Sequence, residues 1–214
     1  MYSHCMVRLP IDPHSMRADD LAPAVRALRR GGIVGFPTET FYGLAADPRS
    51  PHAVEKIYSV KRRPANRSLP LIAASVAQVT DHVGRMTPLA ERLASRWWPG
   101  PLTLIIPASA QLYEDVHQST GRVAVRVPGD TVARTLAGSA GHAITSTSAN
   151  FSGQPPPSSP DAVAAALGAS IDVLIDAGQT PGGLPSTIID ATGETPVLVR
   201  AGAIAWDRVL EFLR

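Results

Sequence analysis

A short basic run, KRRPANRS at 61–68, places Lys61, Arg63 and Arg67 within a few residues of one another. Far along the chain a hydroxyl and amide run, ITSTSANFSG at 144–153, carries Ser146, Thr147, Ser148 and Asn150. Fixed positive charge in one run and neutral donors in the other describe a phosphate site with no P-loop. Lysine offers a compact point charge and arginine a planar two-pronged fork, a pairing suited to a polyphosphate. Pro64 disfavours helix at Arg63, so Lys61 and Arg63 are expected on one side of an extended segment. Serine hydroxyls and an asparagine amide can hold an anion without bringing a titrating proton. In isolation, a solvated basic loop and a turn rich in Ser and Asn would read the same way.

Other segments repeat the arrangement of polar residues after an apolar strand. FPTETFYGL at 36–44 presents Thr38, Glu39 and Thr40. VAVRVPGD at 123–130 sets Arg126 near the end of an apolar strand, where a charge needs a partner and a substrate carboxylate is one candidate. Arg200 follows VLV in the same manner, and PGGLPSTIID at 181–190 puts Gly182 and Gly183 ahead of Ser186. Those glycines permit close backbone approach to a ligand. WWPGPLT at 97–103 reads instead as a hydrophobic anchor and a turn. Strand ends that gather Thr, Arg, Ser, Asn and Gly are where open sheets collect ligands.

The elements that must carry these residues are legible from periodicity and punctuation. Helices are expected over 19–30, from Ser50-Pro51 to the basic run, from Thr87-Pro88 to 97, over 130–136, over 161–167 and over 206–213. Strands are expected at 33–36, 69–74, 102–106, 123–127, 143–147, 171–175, 187–190 and 197–199. The segment 37–48 is expected as a loop, and QPPPSSP at 154–160 as a surface loop within one domain. Helices and strands intermix without strict alternation, which argues an α/β domain with a mixed sheet.

Composition bounds the function. The 214 residues carry 44% hydrophobic side chains and a formal net charge of +2. That charge is too mild for a nucleic-acid coat protein but fits an anion-binding cleft. Aromatic residues are only 5%, and no aromatic–basic stacking motif supports an RNA-binding module. Lysine occurs only at 56 and 61, so Lys61 is notable in its loop. The one cysteine, Cys5, cannot form an internal disulfide and favours a reducing compartment. His4, His14, His52, His82, His117 and His142 are scattered without metal-ligand spacing. No apolar run is long enough for a membrane span and no signal peptide opens the chain, so a cytoplasmic protein is the expectation.

Taken in order, GGIVGFPTETFYGLAADP, KRRPANRSLPLI, WWPGPLTLII, VAVRVPGD, STSANFSG and PSTIID followed by PVLVRAG resemble the YrdC family over about 31–202. The resemblance is to its short form, and implies one domain over 1–214 with core motifs at about 18–202. The implied fold is α/β: a single-domain twisted mixed sheet with flanking helices around a basic concave cavity. The implied activity is that of an L-threonylcarbamoyladenylate synthase, a nucleotidyltransferase acting on ATP, L-threonine and bicarbonate and releasing pyrophosphate. A threonylcarbamoyl-transferase complex would pass the group to an adenosine of tRNA, with at most weak tRNA contact by this chain. A rival carbamoyltransfer reaction would use carbamoyl phosphate.

The family's Lys-x-Arg and Ser-x-Asn quartet matches Lys61, Arg63, Ser148 and Asn150, with Lys61 and Arg63 as the implied catalytic pair. Arg200 joins them at ATP, and so does Arg67, although relatives carry Asn or Lys there. Thr40, Arg126, Ser146 and Ser186 would hold threonine, Arg126 taking its carboxylate. The histidine that many relatives carry after the basic run is replaced by LPLIAA at 69–74. Arg122 and Pro156 stand where smaller polar residues often touch the nucleotide. Mg2+ is expected to arrive with ATP, held by substrate oxygens, with no metal site of the protein and no organic cofactor.

Overall fold

The computed structural model describes residues 6–64 and 67–214. His4, Cys5 and positions 65 and 66 of the basic run lie outside the described residues. The chain begins with β1 (Val7–Pro10), then a 3-10 turn at Ala18–Leu21 that runs into α1 (Ala22–Arg29). β2 (Val34–Phe36), β3 (Gly43–Ala45), α2 (Pro51–Lys61), β4 (Leu71–Ile72), α3 (Val76–His82) and α4 (Pro88–Trp97) follow. Next come β5 (Leu102–Pro107), α5 (Glu114–His117), β6 (Arg122–Arg126), α6 (Thr131–Ala140), β7 (Ile144–Thr145) and β8 (Thr147–Ser148). The chain ends with α7 (Pro160–Leu167), β9 (Val173–Asp176), β10 (Thr187–Asp190), β11 (Val197–Arg200) and α8 (Trp206–Leu213).

The helix starts follow from local chemistry. Ser50, Thr87 and Ser159 each precede a proline at the first helical position and accept a backbone N–H from Ala53, Ala90 and Ala162. Proline there forfeits no hydrogen bond, and the hydroxyl satisfies one of the orphaned donors. Asp130 caps α6 through Ala133 N at 2.8 Å, and Gly141 ends that helix in the left-handed region at φ 85°.

Two mixed sheets form, where the sequence suggested one. The first has order β1-β9-β2-β3-β8 and the second β11-β10-β5-β6-β4-β7. In the first, β1, β9 and β2 run parallel, and β3 and then the edge strand β8 join antiparallel. The expected strand over 143–147 is split: β7 pairs with β4 in one sheet and β8 with β3 in the other. The sheets meet at this seam, where Thr145 N donates to Ala46 O at 3.0 Å and Ala46 N to Thr145 Oγ1 at 2.8 Å.

β3 corrects the expectation of a continuous loop over 37–48. Gly43, Leu44 and Ala45 become strand because β2 and β8 flank them on both sides. The first sheet packs Val34, Phe36, Val173 and Ile175 against Leu21, Val25, Leu28, Val132 and Leu136 from the α1 and α6 region. The larger core holds Leu102, Leu104, Ile106, Val123 and Val125 of the second sheet together with Val54, Ile57, Ala90 and Leu93 of α2 and α4.

Candidate functional site

Side chains alternate across a strand, so the second sheet has two faces. Leu102, Leu104, Val123, Val125 and Ile189 turn into the larger core. Thr103, Ile105, Ala124, Arg126 and Ile188 turn the other way and floor a cleft of about 720 Å3. Thr38 to Gly43 wall it on one side, without Glu39, and Ser146, Thr147 and Ser148 close it at the seam. Gly183, Pro185, Ser186, Val199 and Arg200 form the remaining rim.

Arg126 is the most enclosed charge of the cleft, with 8% of its surface exposed. Its Nη1 donates to Glu39 Oε1 at 2.6 Å. Burial lowers its pKa, partly offset by the Glu39 charge, and the guanidinium still stays charged at neutral pH. Across the cleft, Arg200 reaches back over β10: Nη2 donates to Ser186 O at 2.7 Å and to Ser186 Oγ at 3.0 Å. Ser186 Oγ also lies 2.8 Å from Thr103 Oγ1. Burial lowers Arg200 as well, and the nearby Arg126 charge adds to that. Two guanidiniums are therefore close enough to repel, in a cleft that hydroxyls line.

The basic run meets the hydroxyl run, but not through an extended segment. Lys61 is the last residue of α2, and Arg62 turns the chain with φ 50°, in the left-handed region. A side chain there is strained by about 1–2 kcal/mol. Arg62 N donates to Ser59 O and Arg63 N to Tyr58 O, bonds that hold such a helix end. The Arg62 guanidinium also lies 4.6 Å above the Phe151 ring. Arg63 lies outside the helix, as Pro64 requires of the residue before it, but Lys61 is still helical, so the two side chains do not share one extended segment.

Lys61 is 2% exposed and does not line the cleft. Its Nζ donates to Ser148 O and, at 2.8 Å, to Asn150 O, while Ser152 N donates to Lys61 O at 2.9 Å. Burial, and after it the Arg63 charge, pushes the ammonium down to about 8. Arg63 does enter the cleft. Its Nη2 donates to Ser68 O at 2.8 Å and its Nη1 approaches Thr147 Oγ1 at 3.4 Å, while its buried Nε takes no acceptor.

Seven residues chosen from the sequence line the cleft: Thr40, Arg63, Arg126, Ser146, Ser148, Ser186 and Arg200, with Pro156 beside them. Lys61, Arg67 and Asn150 do not. Arg67 is exposed, and Asn150 turns its amide Nδ2 to Phe151 O and Gln154 O, bracing the turn that follows β8. Arg122 pairs with Asp190 at 3.1 Å, outside the cleft. Thr147, named in the hydroxyl run, lines the cleft as well, while sequence reasoning missed Thr103 and Ser68 as lining residues and Glu39 as the partner of Arg126. The signal for Thr103 is a single hydroxyl in the apolar strand LTLII, a segment that reads as structural.

Among the described residues no group of three or more His, Cys, Asp or Glu side chains is arranged to hold a metal. No helix among them is long and apolar enough to cross a membrane.

This cleft, on paired mixed sheets, defines an α/β class that the known proteins identify. The family model Sua5_yciO_yrdC, described as "Telomere recombination", matches residues 26–202, and the chain belongs to this family. It is 39% identical over 182 residues to a threonylcarbamoyl-AMP synthase of Pyrococcus abyssi, covering 85% of this chain and 54% of that protein. To a threonylcarbamoyl-AMP synthase of Vibrio parahaemolyticus it is 36% identical, covering 86% of this chain and all of the relative. The crystal structure of P. abyssi Sua5 complexed with L-threonine superposes with a TM-score of 0.89 at 35% identity, over 97% of this chain and 60% of that one. The chain thus spans little more than half the length of the Pyrococcus relative and 58% of one from Bacillus subtilis.

Proposed function

We propose that this protein joins L-threonine, bicarbonate and ATP into L-threonylcarbamoyladenylate, releasing pyrophosphate. The observation that carries this reading is the convergence of Arg63, Ser148 and Arg200 with Thr40, Arg126, Ser146 and Ser186 in one cleft. In this reading a triphosphate and a small amino acid lie side by side there. Relatives named threonylcarbamoyl-AMP synthase, and a family structure holding L-threonine, support it.

In this reading Arg126 takes the threonine carboxylate, and the Thr40, Ser146 and Ser186 hydroxyls orient the amino acid. The amine takes up CO2 from bicarbonate to give a carbamate, and a carbamate oxygen attacks the α-phosphorus as pyrophosphate departs. Arg63 and Arg200 stabilise the charge that moves onto the phosphate oxygens, and Ser148 donates a neutral hydrogen bond. Lys61 acts by anchoring the carbonyls of Ser148 and Asn150, so that the donors of this turn hold their positions. Mg2+ would enter with ATP as part of the substrate, held by phosphate oxygens. The adenylate then serves a transferase complex that modifies an adenosine of tRNA.

The test is pyrophosphate release that requires both threonine and bicarbonate, with the labile adenylate detected by mass spectrometry. Release without threonine, or carbamoyl phosphate replacing bicarbonate, would exclude this reaction. An RNA-binding module would release none.

A further inference from the structure

Thr38 and Thr40 line the cleft, while Glu39 between them does not. Glu39 instead reaches Arg126, and its Oε1 accepts Arg126 Nη1 at 2.6 Å and Gly129 N at 3.4 Å. The second carboxylate oxygen, Oε2, is buried and accepts no hydrogen bond. Arg126 meanwhile keeps its other guanidinium N–H groups for the cleft, because no other side chain binds it among the described residues. The neighbouring charges are Asp130, whose proton affinity burial and Glu39 raise, and Arg200, which Arg126 repels. One anion therefore balances the charge that must receive a second.

We propose that Glu39 is a positioning residue that pins Arg126 from outside the cleft and attenuates its charge, setting how tightly the amino acid's carboxylate is held. This rests on the reading of Arg126 as the carboxylate site. A fixed carboxylate at one nitrogen aims the rest of the fork, which is planar and binds a second carboxylate only in the correct orientation. The same negative charge opposes the incoming carboxylate, because the two anions share one guanidinium at low dielectric. Too strong a carboxylate site would bind amino acid and product alike and gain nothing in turnover. Glu39 keeps the site selective for a carboxylate without making it a trap.

The test compares L-threonine with L-threoninamide, which lacks the negative charge, by titration calorimetry on the purified chain. Glu39→Gln retains an oxygen to accept Arg126 Nη1 and removes the anion. The ratio of amide Kd to acid Kd is expected to rise at least about fivefold over wild type, through tighter threonine binding. A merely structural role would move both ligands together and leave the ratio unchanged, and any misfolded fraction cancels from it. Should Glu39→Gln not fold, Glu39→Ser also removes the charge and carries the same expected rise. An unchanged or lower ratio, with wild type binding threonine, overturns this inference alone. Wild type that does not bind threonine overturns the function reading and this inference with it.

Discussion

Replacing Lys61 by methionine separates what its charge does from what its stem does. Methionine keeps an unbranched apolar side chain in the same place and removes the ammonium that donates to Ser148 O and Asn150 O. Burial holds the ammonium at about 8 against an ordinary 10.5, so the charged form is disfavoured in the fold by about 3 kcal/mol at neutral pH. The Lys61→Met substitution relieves that penalty and leaves two carbonyl oxygens without their donor, at about 1–3 kcal/mol each. The effects largely offset, so at pH 7 the variant should unfold within about 2 kcal/mol of wild type. Between pH 8 and 10.5 the unfolded chain keeps the Lys61 proton while the folded chain sheds it. Wild-type stability must therefore rise with pH across that window relative to the variant, by about 2 kcal/mol from pH 7 to pH 9.5. Urea unfolding of both proteins at the two pH values measures this difference. Threonine-dependent pyrophosphate release should fall about 10²-fold in the variant, the scale of one lost positioning or charge-stabilising donor. A stability difference that stays flat from pH 7 to pH 9.5 would refute the reasoning, since the ammonium would then be as well solvated by carbonyls as by water.

Arg126→Ala leaves Glu39 with an oxygen buried and no cation, and should cost about 3 kcal/mol in stability, the lower end for a broken buried pair because Glu39 is partly exposed. It should abolish measurable threonine binding while ATP binding persists, which thermal melting and separate titrations check. Gly202→Ala tests the backbone behind the rim without changing a polar side chain. A Cβ at Gly202 would lie 2.3 Å from Pro185 O and 2.6 Å from Ser186 C, so backbone must give way. Stability should drop by about 1–3 kcal/mol and the KM for threonine should rise through the displaced Ser186 hydroxyl, with kcat for the bound substrate less affected.

Much of the fold could be read from the chain because local chemistry and packing agree. α8 occupies the expected Trp206–Leu213, and β10 the expected Thr187–Asp190, since one has a strong apolar face and the other sits between two strands. The Ser-Pro and Thr-Pro pairs marked helix starts because cap and proline act on the same turn. What escaped was set by distant partners. β1 was not foreseen: VRLP carries no period to set it apart, and it is strand because β9 pairs with it. β3 is strand only between β2 and β8. The short helices α3 and α5 lie in polar sequence with too few turns to show a period.

The site was legible in its residues and not in its wiring, and the reason lies at Ser146. Read locally, 143–147 is one apolar strand leading into hydroxyls. Folded, the chain leaves the second sheet after Thr145, crosses at Ser146, whose N donates to Pro70 O at 2.8 Å, and joins the first sheet at Thr147. A strand that changes sheets exposes its crossover to the space between them, so Ser146 and Ser148 both face the cleft although the strand that would have aligned them does not continue. The crossover needs anchoring because two-residue strands bring few ladder bonds. Lys61 supplies it from the end of α2 by binding the carbonyls on the far side of the turn. A lysine that reads as a phosphate ligand by spacing alone is thus first a brace for the donors that line the cleft. Backbone carbonyls carry no trace in the sequence, so only the three-dimensional arrangement distinguishes the two roles.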